Sequence, residues 1–196
     1  MIPAGRGTVV LCDANVLYGS LLRDLLIRLG VSGALRPRWT ERIEREWVGN
    51  LLEHRPDLSP ARLERTCALM RRAVPEALVE AGDDPDVVLP DPDDRHVLAA
   101  ALACGAEVLL TFNEGDFPTS LIPPSLQVCP PDIFLARCLE VQPREVLSAA
   151  RGILRTLGNP PLSPRDFCEG LQRAGLPGLA QGLRPLLKAT SQSDSG

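Results

Sequence analysis

The sequence predicts an α/β fold, a parallel sheet with helices on both faces, followed by a helical C-terminal extension. Three observations carry this expectation. Thr8-Val9-Val10-Leu11-Cys12 and Val108-Leu109-Leu110-Thr111 are short continuous apolar runs, the pattern of strands buried on both faces. Segments with helical apolar spacing alternate with such runs, and alternation of this kind builds parallel sheets. After Pro130-Pro131 the pattern changes to helices alone.

The first run ends at Asp13, at the strand's C-terminal end, where open α/β sheets place their sites. Helical spacing from Ser20 to Leu29 predicts a helix stopped at Gly30. Thr40 caps a helix to about His54, with Ile43, Trp47 and Leu51 on one face and Pro56 beyond its end. Ser59-Pro60 starts another, through Leu63, Cys67 and Met70 towards Val74. An Asp-rich stretch from Gly82 to Asp94 reads as a solvated loop without chemistry. A helix over 94–104 follows, closed by Gly105, and then the second buried strand. The loop from Phe112 to Pro118 leads to a last strand near Leu126–Cys129. Helices are expected at about 132–140, 144–157, 164–174 and 177–187. Ser163-Pro164-Arg165-Asp166 is a strong start signal, with a cap, a proline at the first position and an acid at the third. The expected division is 1–130, 131–189 and a polar, disordered tail at 190–196.

With 196 residues, 44% hydrophobic and 23% charged, the chain has the make-up of a soluble globular protein. It holds no apolar run of the roughly 20 residues needed to cross a bilayer and no signal-peptide pattern at the N-terminus, so no membrane partner and a cytoplasmic location are expected. Six cysteines without a CxxC pair argue against a zinc site or a disulfide framework and are read as small buried or half-buried thiols. Net charge is −4, which excludes a globally basic nucleic-acid binder. The charge is uneven: residues 1–136 carry 13 basic and 20 acidic side chains, and residues 137–196 carry 8 and 5.

Four acids stand where such a sheet could gather them: Asp13, Glu46, Asp94 and Asp116. Each has a plain structural reading as well. Asp13 could cap a helix, Glu46 could be a solvated helix residue, Asp94 a first-turn acid and Asp116 a turn residue. Glu46 is preferred over Glu44, which is expected to rotate towards solvent, and Asp94 over Asp93, because Asp94 is in register with Val97 and Leu98. Two carboxylates about 5 Å apart repel by roughly 3 kcal/mol at an effective dielectric of 20, so a cluster of them calls for a cation. Hard oxygen ligands suit Mg²⁺ or Mn²⁺, ions that keep waters and engage phosphates.

Taken in order, Val10-Leu11-Cys12-Asp13-Ala14-Asn15-Val16-Leu17, Asp91-Pro92-Asp93-Asp94-Arg95-His96-Val97-Leu98-Ala99-Ala100-Ala101, and Thr111-Phe112-Asn113 with Asp116-Phe117 resemble the motifs of PIN domains, over about residues 8–130. The resemblance implies a three-layer α/β/α nuclease fold with a central parallel sheet, binding Mg²⁺ or Mn²⁺ through Asp13, Glu46, Asp94 and Asp116. Asn15 and Thr111 match polar positions beside the acids, and Asn113 stands where some relatives carry an acid. Many bacterial relatives are ribonuclease toxins of VapBC-type pairs, held inactive by an antitoxin, and relatives often form homodimers. RNA as substrate and a cognate antitoxin as partner are therefore expected, with cleavage leaving a 5′-phosphate and a 3′-hydroxyl. The C-terminal helices resemble the addition of a longer toxin-like subgroup.

On this reading no histidine is required, and His54 and His96 are taken as surface or structural residues. Arg38, Arg42 or the net-positive C-terminal helices are candidate phosphate grips. Rival classes fare worse. A dinucleotide-binding enzyme would need a glycine-rich loop after the first strand. A haloacid-dehalogenase-type phosphotransferase would need Asp where Asn15 stands. A non-catalytic binding module on a PIN scaffold predicts loss of a core acid, and all four positions are filled; a housekeeping RNA-processing nuclease stays open.

Overall fold

The computed structural model describes residues 1–83, 85–156 and 162–191. Its sheet has four parallel strands in the order β2-β1-β3-β4: β1 is Thr8–Cys12, β2 Leu35–Arg38, β3 Val108–Leu110 and β4 Gln127–Cys129. Val10, Leu11, Cys12 and all of β3 are buried, as expected for strands covered on both faces. β2 lies outside the strands expected from the sequence, and Leu-Arg-Pro-Arg carries no continuous apolar run. Its place at the sheet edge explains the proline, because Pro37 lies opposite Val10 without interrupting a central ladder.

Between β1 and β2 lie a five-residue helix, α1 (Ala14–Tyr18), and α2 (Ser20–Val31). α2 runs past Gly30, and the left-handed residue that follows its end is Gly33, at φ +68°. Gly30 serves a different purpose: a Cβ there would stand 2.9 Å from the ring of Pro37, so glycine lets α2 lie close on β2. The helices α3 (Glu41–His54) and α4 (Pro60–Ala73) have the expected caps, Thr40 accepting from the Ile43 N–H and Ser59 from the Arg62 N–H. A 3-10 turn at Pro92–Asp94 leads into α5 (Arg95–Ala103), which Gly105 closes at φ +64°.

Glu44 corrects the sequence reading. It is 5% exposed, not rotated to solvent; α4 lies over it. Its carboxylate accepts from Trp39 Nε1 at 3.1 Å and from Nε and Nη2 of Arg71. Removing it would leave a fully buried indole N–H without an acceptor and Arg71 without its partner. Because Arg71 is partly solvated, the expected cost of Glu44→Ala is about 2 kcal/mol. Thermal unfolding should fall by roughly 4–8 °C, and a loss under 2 °C would contradict this role.

The C-terminal part forms α6 (Pro131–Val141), α7 (Pro143–Thr156), α8 (Pro164–Arg173) and α9 (Pro177–Ser191). α9 continues to Ser191, two residues into the stretch 190–196 expected as a tail; residues 192–196 lie outside the described part. These helices join the sheet domain in one continuous core. Gln142 Nε2 donates to the carbonyls of Ala4 and Ala34, and Arg28 Nη2 reaches Thr156 Oγ1 at 2.8 Å. Asp132 receives the N–H groups of Gly178 and Leu179, fixing the start of α9 against α6. The cysteines are free, five buried and Cys104 half-buried, and burial pushes the Cys12 and Cys138 thiols up to about 12. Among the described residues no helix is long and apolar enough to cross a membrane.

Candidate active site

The sheet order sets the site. Chain connections leave β1 towards β2 on one side, while β3 and β4 lie on the other, so the crevice between the C-terminal ends of β1 and β3 is a topological switch point. The register pairs Cys12 with Leu110, and the next residues, Asp13 and Thr111, leave the sheet side by side. Asp13 is 6% exposed. Its Oδ1 caps α1 by accepting from the Ala14 N–H, so the capping reading holds together with the site reading. Its Oδ2 accepts from Asn15 Nδ2 at 2.7 Å and from Thr111 Oγ1 at 2.8 Å. Thr111 Oγ1 in turn accepts from Asn15 Nδ2 and from the Asn113 N–H, and Asn15 Oδ1 accepts from the Phe112 N–H. Both polar neighbours picked out in the sequence therefore hold Asp13 in one orientation.

A cleft of about 610 Å³ opens over this network, lined by Asp13, Asn15, Glu46, Asp94, His96 and Asn113 among others. Glu46 enters from α3, where the completely buried Ile43 and Trp47 fix the helix face. Asp94 stands half-buried at the junction of the 3-10 turn and α5, whereas the Asp93 side chain is almost wholly exposed at the rim. Asp116 lies in a short 3-10 turn, Glu114–Asp116, beside the cleft and not in its wall.

The acids feel one another. Asp94 is raised to about 6, first by burial and then by the charges of Asp13, Asp116 and Asp91. Burial also raises Asp13; the hydrogen bonds from Thr111 and Ala14 oppose this, and the Glu46 charge adds to it. For Glu46 burial works upward, but hydrogen bonds and charge from His96 and Arg42 outweigh it and hold the carboxyl below its usual range. Among the described residues no three His, Cys, Asp or Glu side chains are drawn together into a closed metal cage. The donors fit a hard divalent ion that keeps part of its water shell: oxygen carboxylates around an open cleft, raising one another's proton affinity for want of a counter-charge.

The PIN domain family model matches residues 9–115, more than half of the chain, and takes in β2, β3 and all of β1 but Thr8, with β4 beyond it. The chain belongs to the PIN-domain family. A second model, the VapC50 C-terminal domain, matches residues 131–185 of this PIN protein, the helical extension. A curated relative from Mycobacterium tuberculosis (strain ATCC 25618 / H37Rv), named "Putative ribonuclease VapC50", is 33% identical over 79 residues. That stretch is 40% of this chain and 47% of the relative, so the match spans about half of the relative's length. No solved structure matches the chain.

The sequence reading missed one member of the site. His96, taken as a surface or structural residue, has a side chain only 10% exposed, and its Nε2 lies 3.0 Å from Glu46 Oε1. His54 also lines the cleft, its ring edge-on to Tyr18 at 6.2 Å. The available signal was position: His96 follows Asp94 by two residues in the first turn of α5, just before the buried Val97 and Leu98.

The raised Asp94 makes a pH prediction for the metal-free PIN domain. A carboxyl whose folded pKa exceeds its unfolded one binds its proton more tightly when folded, so it costs stability above about pH 6 and that cost fades as pH falls towards 4. Asp94→Asn in EDTA should therefore unfold at a higher temperature than wild type at pH 7.5. The gap should shrink on acidification to pH 4.5, as thermal scans across that range would show; a gap that widened would contradict the repulsion.

Proposed function

We propose that this PIN domain is a divalent-metal-dependent endoribonuclease of the cytoplasm, the toxin of a type II toxin–antitoxin pair. One observation carries the reading: Asp94 senses the charges of Asp13 and Asp116 at a cleft that Asp13 and Glu46 also line. The extension's match to the VapC50 C-terminal domain and a relative named as a ribonuclease support the choice of RNA and of the toxin class. Asp13, Glu46, Asp94 and Asp116 would hold Mg²⁺ or Mn²⁺, directly or through water. When bound, such an ion lowers the pKa of a water and offsets charge on a phosphate.

The chain's own residues do the rest. Thr111 and Asn15 pin the Asp13 carboxylate so that it is presented in one orientation. Glu46 would orient the attacking water, and the half-exposed Arg42 at the rim would meet the phosphate backbone that the acidic wall repels. An antitoxin would block the cleft.

Incubating purified protein with a total-RNA pool, with Mn²⁺ or Mg²⁺ against EDTA, tests the reading. Discrete metal-dependent fragments with 5′-phosphate ends support it. Intact RNA after treatment with well-folded, metal-supplied, partner-free protein would overturn it in favour of a non-catalytic binding module.

A further inference from the structure

We propose that His96 is a positioning residue, whose Nε2–H aims Glu46 into the cleft. The proposal rests on the nuclease reading above and adds a role for a side chain that the acidic cluster does not include. A carboxylate can only accept, so the 3.0 Å contact to Glu46 Oε1 requires the proton on Nε2. Arg42 Nε donates to the same oxygen at 3.1 Å, from one turn earlier on α3. Both donors thus converge on Oε1, and among the described residues no donor engages Oε2, which is left for an ion or a water. The Glu46 side chain is about one-third exposed and would otherwise spread over several rotamers.

The other imidazole nitrogen explains why the ring matters at this end. Nδ1 is buried and, among the described residues, meets no hydrogen-bond partner, unlike most buried polar atoms. Among the described residues the ring's hydrogen bond is the one to Glu46. Its backbone is held by the completely buried Val97 and Leu98 of α5. It joins the element that presents Asp94 to the helix that presents Glu46, and so sets the spacing of two acids far apart in sequence. Partners of this kind typically govern metal affinity by 10- to 100-fold.

The test is Mn²⁺ binding to the purified full chain, followed by paramagnetic resonance of the free ion, with RNA cleavage measured in parallel. His96→Ala and His96→Asn should each bind Mn²⁺ about 10- to 100-fold more weakly. His96→Gln places an amide N–H where Nε2 lies, which Asn cannot reach, and should return to within about threefold of wild type. Equal binding by wild type and His96→Asn would overturn the positioning role. Equal losses in the Asn and Gln variants, tracking a fall in unfolding temperature, would overturn it too, by making the ring merely structural. Wild-type protein that neither binds Mn²⁺ nor cuts RNA would instead overturn the nuclease reading on which the proposal stands.

Discussion

Asp94→Asn is expected to reduce metal-dependent RNA cleavage by about 10²- to 10³-fold, the range seen when one group acting on transition-state charge is removed. The substitution keeps the side chain's shape and removes a half-exposed charge that its neighbours repel, so the fold should survive and even gain stability without metal. The two effects have opposite signs, and that combination is the mark of a site held together against electrostatic strain. Mn²⁺ should raise the unfolding temperature of the wild-type protein and much less that of the variant. Cleavage by the variant within threefold of wild type, under the same metal dependence, would remove Asp94 from the reaction.

The second large effect concerns the extension. A chain ending at residue 130 is expected not to fold cooperatively, although the family match to the PIN domain ends before that point. Phe134, Leu135, Val146, Ile153, Phe167 and Leu171 are all completely buried, and α2 packs against α7 and α8. At about 1.5–3 kcal/mol each, burial on this scale rivals the 5–15 kcal/mol by which whole domains are stable. Truncation would also strip Gln142 from the carbonyls of Ala4 and Ala34. It would uncover Phe112, whose ring lies 3.1 Å from where a Cβ of Gly175 would stand, close to the Thr111 network. The checks are a cooperative thermal transition and binding of a hydrophobic dye. A sharp transition with no dye binding in the truncated chain would make the extension a separable addition.

The sequence is legible where the physics is local. The helix starts at Thr40, Ser59 and Ser163 rest on a side-chain oxygen reaching an N–H three residues on, and the structure has all three bonds. β1 and β3 were legible because a strand buried on both faces must be continuously apolar. Asp13 and Thr111 come together because each directly follows such a strand, parallel pairing leaves little freedom at that edge, and Asn15 in the first turn of α1 reaches both.

What escaped the sequence depended on elements distant along the chain. Helical phase alone could not tell that Arg71 and Trp39 would make a buried place for Glu44, since the cost of burying a carboxylate is met only by partners brought by α4 and by the residue that follows β2. The strand at Leu35–Arg38 exists because an edge position tolerates Pro37. His96 entered the site because the ring reaches a glutamate fifty residues earlier, a distance no periodicity encodes. The sequence by itself determined β1, β3 and β4, the caps and the order of the acids, all governed by neighbours within a turn or two. The tertiary structure decided which glutamate faces the cleft, what holds it there, and that the C-terminal helices share the core, because burial and hydrogen-bond partners are settled only when distant segments meet.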